Sequence, residues 1–307
     1  MMTNVFIHSS LANYFHLCSD GALTPRFITS QEDFRTAFNL IGVCAANADV
    51  TVLAFSIEDT HLHSLLYGTK SECVKFKTNY EESWSHHIGR VRGSRRDAAI
   101  ELELIPIDSI DYLMNVGTYA IFQPTKDGKQ VMPYDYYWGT GSMYFRVSGH
   151  RSIWSLDEQG ERIPPVKAGD LSRHELKRII CSHRPVPPEW LICNGILLPD
   201  NYVDTDHFEQ IYRTANCFRV FLGNNRNKDQ LIHERIAAFR GITIDDSEAR
   251  QLTHNLAKKL FGFVDIRRLD AHQRIILAQE LRKQFRLSAR QIASLSLLPY
   301  PEVCKYI

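Results

Sequence analysis

Apolar and polar positions along the first 150 residues follow two periods, and the switches between them mark the elements. "NYFHLCS" (13–19) reads as a strand. From Ser30 the period lengthens in "SQEDFRTAFNLIGVCAANA" (30–48). Ser30 is placed to cap, Asp33 stands at the third helical position, and Phe34, Phe38 and Ile41 recur at helical spacing. "VTVLAFSI" (50–57) is apolar and β-rich, "EDT" (58–60) suits a hairpin turn, and "HLHSLLYG" (61–68) is the returning strand. "SECVKFKTNYEESWSHHIG" (71–89) has a helical pattern, and "AAIELELIPI" (98–107) partly alternates, as a strand does. "DSIDYLMNVGTYAIFQP" (108–124) opens on Asp108 or Ser109 as a cap and predicts a helix that Pro124 ends. The order strand, helix, strand, strand, helix, strand, with an added helix, predicts a ferredoxin-like α+β layout. Its antiparallel sheet would carry helices on one face.

After about residue 150 the pattern changes. "SRHELKRII" (172–180) holds a capping box of Ser172 and Glu175, and "RPVPPEW" (184–190) is proline-rich, so residues 151–216 read as a connector with short helices. From 217 to 307 the pattern is helical. Within that stretch "LSARQIASLSLLPYPEVCKYI" (287–307) is patterned as a helix-turn-helix. Ile292, Ala293, Leu298 and Val303 fall at core positions, Ser288 caps the first short helix, and Leu297 stands where a turn glycine is usual. Pro299 to Pro301 would open the helix that enters a major groove. Leu277, Leu281 and Phe285, four residues apart, give the preceding helix a supporting face. The expected organisation is therefore 1–150, 151–216 and 217–307. No internal repeat or low-complexity tract interrupts it.

Composition adds little until charge is divided along the chain. Apolar residues make up 44% and charged residues 23%, as in ordinary globular proteins. No apolar run reaches the roughly 20 residues that cross a bilayer. The start "MMTNVFIHSSLANYF" lacks the basic opening and long apolar core of a signal peptide, so a cytoplasmic protein is expected. Seven scattered cysteines without zinc-ligand spacing fit a reducing compartment. Net charge is only +1, but residues 1–216 carry 20 Lys and Arg against 26 Asp and Glu, while 217–307 carry 16 against 9. The basic second part suggests an anionic partner, and nucleic acid is the commonest.

The candidate chemistry starts from "HLH". Alternation along a strand sends His61 and His63 one way and Leu62 the other. Two neighbouring imidazoles on a rigid strand can bind a divalent cation, which would want a third protein ligand. In "TYAIFQP" (118–124) Tyr119 and Gln123 stand four apart on a predicted helix and share a face. Gln123 offers a neutral oxygen. Tyr119 offers a hydroxyl that can attack phosphorus, although its ordinary pKa of about 10 demands assistance.

A His-hydrophobic-His strand, then Tyr-x-x-x-Gln and Pro some 55 residues later, resembles the HUH single-tyrosine transposases, closest to the REP-associated tyrosine transposases and their insertion-sequence relatives. The resemblance covers about residues 10–145. It includes "NYFHLCSDG", "VTVLAFSIEDTHLHSLLYG", "TYAIFQP" and the aromatic stretch "MPYDYYWGTGSMYF" (132–145). It implies that His61, His63 and Gln123 bind a divalent metal, Mg²⁺ or Mn²⁺, and that Tyr119 is the nucleophile. It also implies a single-stranded DNA endonuclease and strand transferase acting through a 5′-phosphotyrosine link, on DNA that contains hairpins, with the protein working as a homodimer. In replication initiators and relaxases of related chemistry the histidine pair usually follows the tyrosine. Here Tyr119 comes after His63, the transposase order. No Walker-type motif is present, in keeping with an exchange of phosphodiesters that needs no ATP; "GTGS" (139–142) lacks the lysine and reads as a loop.

A path for DNA is expected along "HHIGRVRGSRR" (86–96), which holds Arg90, Arg92, Arg95 and Arg96 within seven residues. Tyr134, Tyr136, Tyr137 and Trp138 are candidates for stacking on bases. In the C-terminal helices Arg290, Gln291 and Lys305 are the expected DNA contacts. The alternative is a non-catalytic DNA-binding regulator derived from a domesticated transposase.

Overall fold

The computed structural model describes residues 11–19, 28–93, 100–126, 131–146, 152–157, 159–224, 228–239, 246–285, 287, 289–299, 302–303 and 306. The chain divides into two compact units, the first running to Asp229 and the second from Gln230 onward.

The first unit is α+β. Its elements run β1 (Tyr14–Ser19), α1 (Gln31–Ala48), β2 (Thr51–Ile57), β3 (Leu62–Tyr67), α2 (Lys70–Arg92), β4 (Leu102–Pro106) and α3 (Ile110–Lys126). The sheet order is β2-β3-β1-β4, and all neighbours are antiparallel. Ser30 caps α1 by accepting from the Asp33 N–H, as its sequence position implies. Thr69 and Glu72 form a capping box on α2. Ser109 accepts from the Tyr112 N–H in the first turn of α3.

Two expectations need correction. Pro124 lies inside α3 and does not end it. A proline this near a helix C-terminus removes only one late hydrogen bond, and the helix runs on to Lys126. The helices also cover both faces of the sheet. Phe38 of α1 meets Phe55 of β2 on one face, and α2 joins α1 there through the Tyr80 hydroxyl on the Ala37 carbonyl. On the opposite face α3 lies over β3, where Gly117 comes close to Leu65. The burial pattern agrees: β1 and β3 are buried at nearly every position, so neither face stays in water.

The stretch 151–216 packs within this unit. It holds a small sheet of β5 (Val166–Lys167), β6 (Leu191–Cys193) and β7 (Ile196–Leu197), then α4 (Arg173–Ile180) between β5 and β6, and α5 (Thr205–Tyr212) after β7. Buried Asn39 of α1 spends its whole amide on this region. It donates to the carbonyls of Ile179 (3.0 Å) and Gly195 (2.9 Å) and accepts from the Leu197 N–H (2.8 Å). A side chain at Gly42 would strike Tyr202, whose ring carbon lies 2.6 Å from the place a Cβ would take. The outer edge of β2 is capped by bridges from Gly139 and Val203, which removes an exposed sheet edge. Helix α6 (Ala215–Gly223) follows, and α7 (Lys228–Phe239) begins where the units divide.

The second unit is helical, with α8 (Asp246–Phe261), α9 (Ala271–Phe285) and α10 (Ala289–Ser296). Leu277, Leu281, Leu287, Ile292 and Val303 are fully buried in its core, with Ala293, Leu298 and Phe285 packed against them. After α10 the backbone turns through Leu297 in the left-handed region (φ 57), the conformation a turn glycine would supply. Helical bonds then restart from the Pro299 carbonyl to the N–H groups of Glu302 and Val303. Ser288 and Lys305 lie outside the described residues. Among the described residues no helix is long and apolar enough to cross a membrane.

Candidate active site

The site begins with register. Pairing sets Cys18 of β1 and Ser56 of β2 on either side of His63, so the three form a row across the sheet. His16, two residues before Cys18, shares that face. Over it runs α3, whose Tyr112, Tyr119 and Gln123 are seven and four residues apart and form one stripe. His61 ends the tight turn into β3, held by the Glu58 N–H on its carbonyl (2.7 Å).

The side chains converge. The Gln123 Nε2 position lies 3.2 Å from His61 Nε2 and 3.2 Å from His63 Nε2. The Tyr119 ring meets the His63 ring edge-on, with centroids 4.9 Å apart. His61 Nδ1 is 2.9 Å from the Thr60 hydroxyl. His63 Nδ1 is 3.0 Å from His16 Nε2, and His16 Nδ1 is 3.2 Å from the Tyr112 hydroxyl. All of these imidazoles are buried, and Tyr119 and Gln123 are only 2% and 3% exposed.

One atom in this cluster is poorly served. The Gln123 Oε1 is buried and accepts no hydrogen bond among the described residues. An unmet buried carbonyl oxygen costs about 1–3 kcal/mol. Turning the amide by half a revolution would put that oxygen between the two imidazole nitrogens. Two ligands each about 2.1 Å from one ion, subtending about 90–110°, lie about 3.0–3.4 Å apart. The 3.2 Å separations, the two imidazole nitrogens and the orphaned oxygen therefore fit a divalent cation.

His16, Cys18 and His63 also bring ligand atoms within 4.8 Å of one another and could hold an ion on the other side of His63. Burial drives His16 down to about 3, so it is neutral at neutral pH. A neutral imidazole has one donor and one acceptor nitrogen, and His16 has a partner at each. If His63 presents a lone pair at Nε2, its Nδ1–H donates to His16, and His16 in turn donates to Tyr112. This arrangement fixes the ring and tautomer of a ligating histidine. Sequence reasoning missed His16, Cys18 and Tyr112. The signal was alternation in "YFHLCS", which puts a histidine and a cysteine on one face of an otherwise apolar strand.

The expected DNA contacts are less assembled. Arg90 and Arg92 stand on the last turns of α2, not in a loop. Arg92 donates to the Thr29 hydroxyl (3.0 Å) and pairs with Asp33 (3.2 Å). Arg90 faces His87 (3.4 Å) and the Cys181 sulfur (3.6 Å). Arg95, Arg96 and Lys305 lie outside the described residues, as does the side chain of Arg290; Gln291 is half-buried on α10. Of the aromatic candidates, Tyr136 is buried with its hydroxyl on the Ile57 carbonyl (2.7 Å), and Trp138 stacks on Phe34. Tyr137 packs edge-on against Trp138, and Tyr134 is exposed. "GTGS" is not all loop, since Gly141–Met143 form a short 3-10 helix.

No protein-family profile and no curated protein matches the chain. Among solved structures, a REP-associated tyrosine transposase bound to a REP hairpin is similar over 50% of this chain and 93% of its own, at 13% identity and a TM-score of 0.31.

Proposed function

We propose that the first unit is a metal-dependent single-stranded DNA endonuclease and strand transferase of the HUH single-tyrosine type. The observation that carries this reading is the meeting of the Gln123 amide with both His61 and His63, 3.2 Å from each, on the helix that also brings Tyr119 against His63. In this reading His61, His63 and Gln123 hold a divalent cation, Mg²⁺ or Mn²⁺. When bound, the ion would neutralise charge developing on a phosphoryl oxygen. The Tyr119 oxygen attacks a backbone phosphorus, the new Tyr–O–P bond forms, and the bond to the 3′ oxygen breaks. The 3′-hydroxyl leaves with a proton, and its return to phosphorus restores the strand. His16 and Tyr112 hold the His63 ring in its ligating tautomer. A nucleotide can reach Tyr119 only if this 2%-exposed phenol is uncovered as the strand enters. The helix-turn-helix pattern of the second unit, with Arg290, Gln291 and Lys305, would contact duplex or hairpin DNA. A homodimer is part of the same proposal.

A hairpin oligonucleotide with a single-stranded flank, incubated with the protein and Mn²⁺, tests this. A covalent adduct should form with the natural chain and be absent in Tyr119→Phe. An adduct of equal yield in that variant would refute the nucleophile. The burial of Tyr119 favours a second reading, a DNA-binding protein that does not cleave. It predicts duplex binding with no nicking, whether or not a chelator is present.

A further inference from the structure

A second cluster of reactive groups lies among the helices on the other face of the sheet, and the proposed DNA chemistry does not use it. Asp33, in the first turn of α1, accepts from His87 Nε2 of α2 at 2.8 Å. His87 also interacts electrostatically with Cys181, the residue that ends α4 and whose thiol donates to the Arg178 carbonyl at 3.6 Å. Thr36 of α1 donates to the Cys181 sulfur at 3.4 Å, and Arg90 of α2 does so at 3.6 Å. Three separate helices thus bring Cys181, His87 and Asp33 together and place two donors, Thr36 and Arg90, on one sulfur. The carboxylate is itself fixed by the Thr29 N–H (3.0 Å), the Thr29 hydroxyl (2.9 Å) and Arg92.

Two features separate this sulfur from a packing cysteine. Cys181 has left-handed backbone angles (φ 52, ψ 27) at a helix end, where glycine is the residue without steric penalty. A cysteine is kept there despite that penalty. Cys181 is also half-buried, whereas Cys18, Cys44, Cys73 and Cys193 are buried. Burial pushes the thiol up, but its interactions with His87, Thr36 and Arg90, together with the Arg90 charge, outweigh it and bring it down to about 7. A partly exposed thiolate beside cations is the setting of reactive cysteines.

We propose that Cys181, activated by His87 and Asp33, is a redox-modification site that undergoes exchange with low-molecular-weight disulfides. His87 takes the thiol proton, and Asp33 stabilises the resulting imidazolium. The Cys181 thiolate attacks one sulfur of the disulfide. A new S–S bond forms, the old one breaks, and its electron pair leaves on the departing thiolate, which takes the proton from His87. Cys181 is oxidised to a mixed disulfide, and the released half of the reagent is reduced. The adduct removes the negative charge that Arg90 faces.

The test uses the full chain, reduced, with glutathione disulfide as the probe and peptide mapping by mass spectrometry as the readout. Cys181 should be modified before Cys217, the other half-buried cysteine among the described residues. His87→Gln should slow modification about fivefold at pH 7, because the loss of thiolate exceeds the gain in its intrinsic nucleophilicity. At pH 9.5, where an ordinary thiol is ionised, the two proteins should react at similar rates. A fold check by circular dichroism accompanies that variant, and Arg90→Gln, on an exposed guanidinium, should slow the reaction in the same direction. Independently of any variant, the pH profile of Cys181 alkylation by iodoacetamide reports its surroundings, His87 and Arg90 from α2 and Thr36 from α1. A midpoint near 7 is expected. A midpoint at the ordinary value of about 8.5, or modification of Cys181 no faster than Cys217, would overturn the proposal.

Discussion

Two buried polar clusters lie on opposite faces of one sheet, and they are built on opposite plans. The group over β3 joins His16, His61, His63 and Gln123 by ring-nitrogen and amide hydrogen bonds, and it leaves the Gln123 amide oxygen without a donor among the described residues. The group among α1, α2 and α4 contains its own counter-charges: Asp33 meets His87 at 2.8 Å and Arg92 at 3.2 Å. A self-compensated cluster needs nothing from outside to be stable. The first group carries an unmet acceptor instead, the feature on which the proposed cation site rests.

The largest expected consequence falls on the first cluster. The double variant His61→Ala with His63→Ala should lose covalent adduct formation by more than about 10³-fold, the scale of removing an electrostatic group from a phosphoryl-transfer site. Gel analysis of the hairpin reaction in Mn²⁺ measures it, and retention of even a tenth of the adduct would contradict the division of roles.

In the second cluster the loss appears as stability. His87→Gln leaves Asp33 buried without its imidazole and should destabilise the first unit by about 3 kcal/mol, several degrees of Tm. Burial lowers the His87 pKa, but its interactions with Cys181 and Asp33 outweigh burial and hold it above the ordinary imidazole value. Its contribution is therefore complete below about pH 6.5 and fades as pH rises through the raised value. Burial raises the Asp33 pKa, yet its bonds from His87 and Thr29 hold it below the ordinary range, so its share fades as pH falls through the lowered value. The Tm difference between natural chain and variant should peak between about pH 4 and 6.5 and shrink on either side. A difference that does not vary with pH would mean that the pair is not ionised in the folded chain.

How much of this the sequence exposed depends on range. Periodicity located β1 to β4 and α1 to α3, because alternation and helical spacing are local properties. Tyr119 and Gln123 were legible as one helix face, and His61 with His63 as one strand face, for the same reason. Which helix covers which sheet face is a long-range outcome, so α3 was not assigned to the face opposite α1. His16 was hidden because its partners, His63 and Tyr112, are 47 and 96 residues away. The Cys181 cluster draws on Asp33, His87 and Cys181, three positions that no spacing rule connects. Arg90 read as a DNA contact, and only the structure shows it facing the Cys181 sulfur, 3.6 Å away at the end of α4.

A smaller effect concerns the support of His63. His16→Asn should lower Mn²⁺ affinity about 10- to 100-fold, as removal of a ligand's outer partner does, with Mn²⁺-dependent thermal shift as the readout. An unchanged shift would make His16 a packing residue. The smallest effect separates the two plans most sharply. Gln123→Met removes the unmet oxygen together with the Nε2 that meets His61 and His63, so without metal the two effects offset and its stability should change by about 1 kcal/mol or less. The stabilisation that Mn²⁺ gives the natural chain, about 2.7 kcal/mol at a hundredfold excess over Kd, should largely disappear. A strongly destabilised metal-free variant would show that the amide is already satisfied.

Pulsed electron paramagnetic resonance of Mn²⁺ bound to the full chain addresses the proposed ligand set without DNA or turnover. Nitrogen couplings from two imidazoles are expected, one of them lost in His61→Ala and the other in His63→Ala. A spectrum showing only oxygen ligands in the natural chain, or both couplings intact in either variant, would contradict a cation held between the histidine strand and the tyrosine helix.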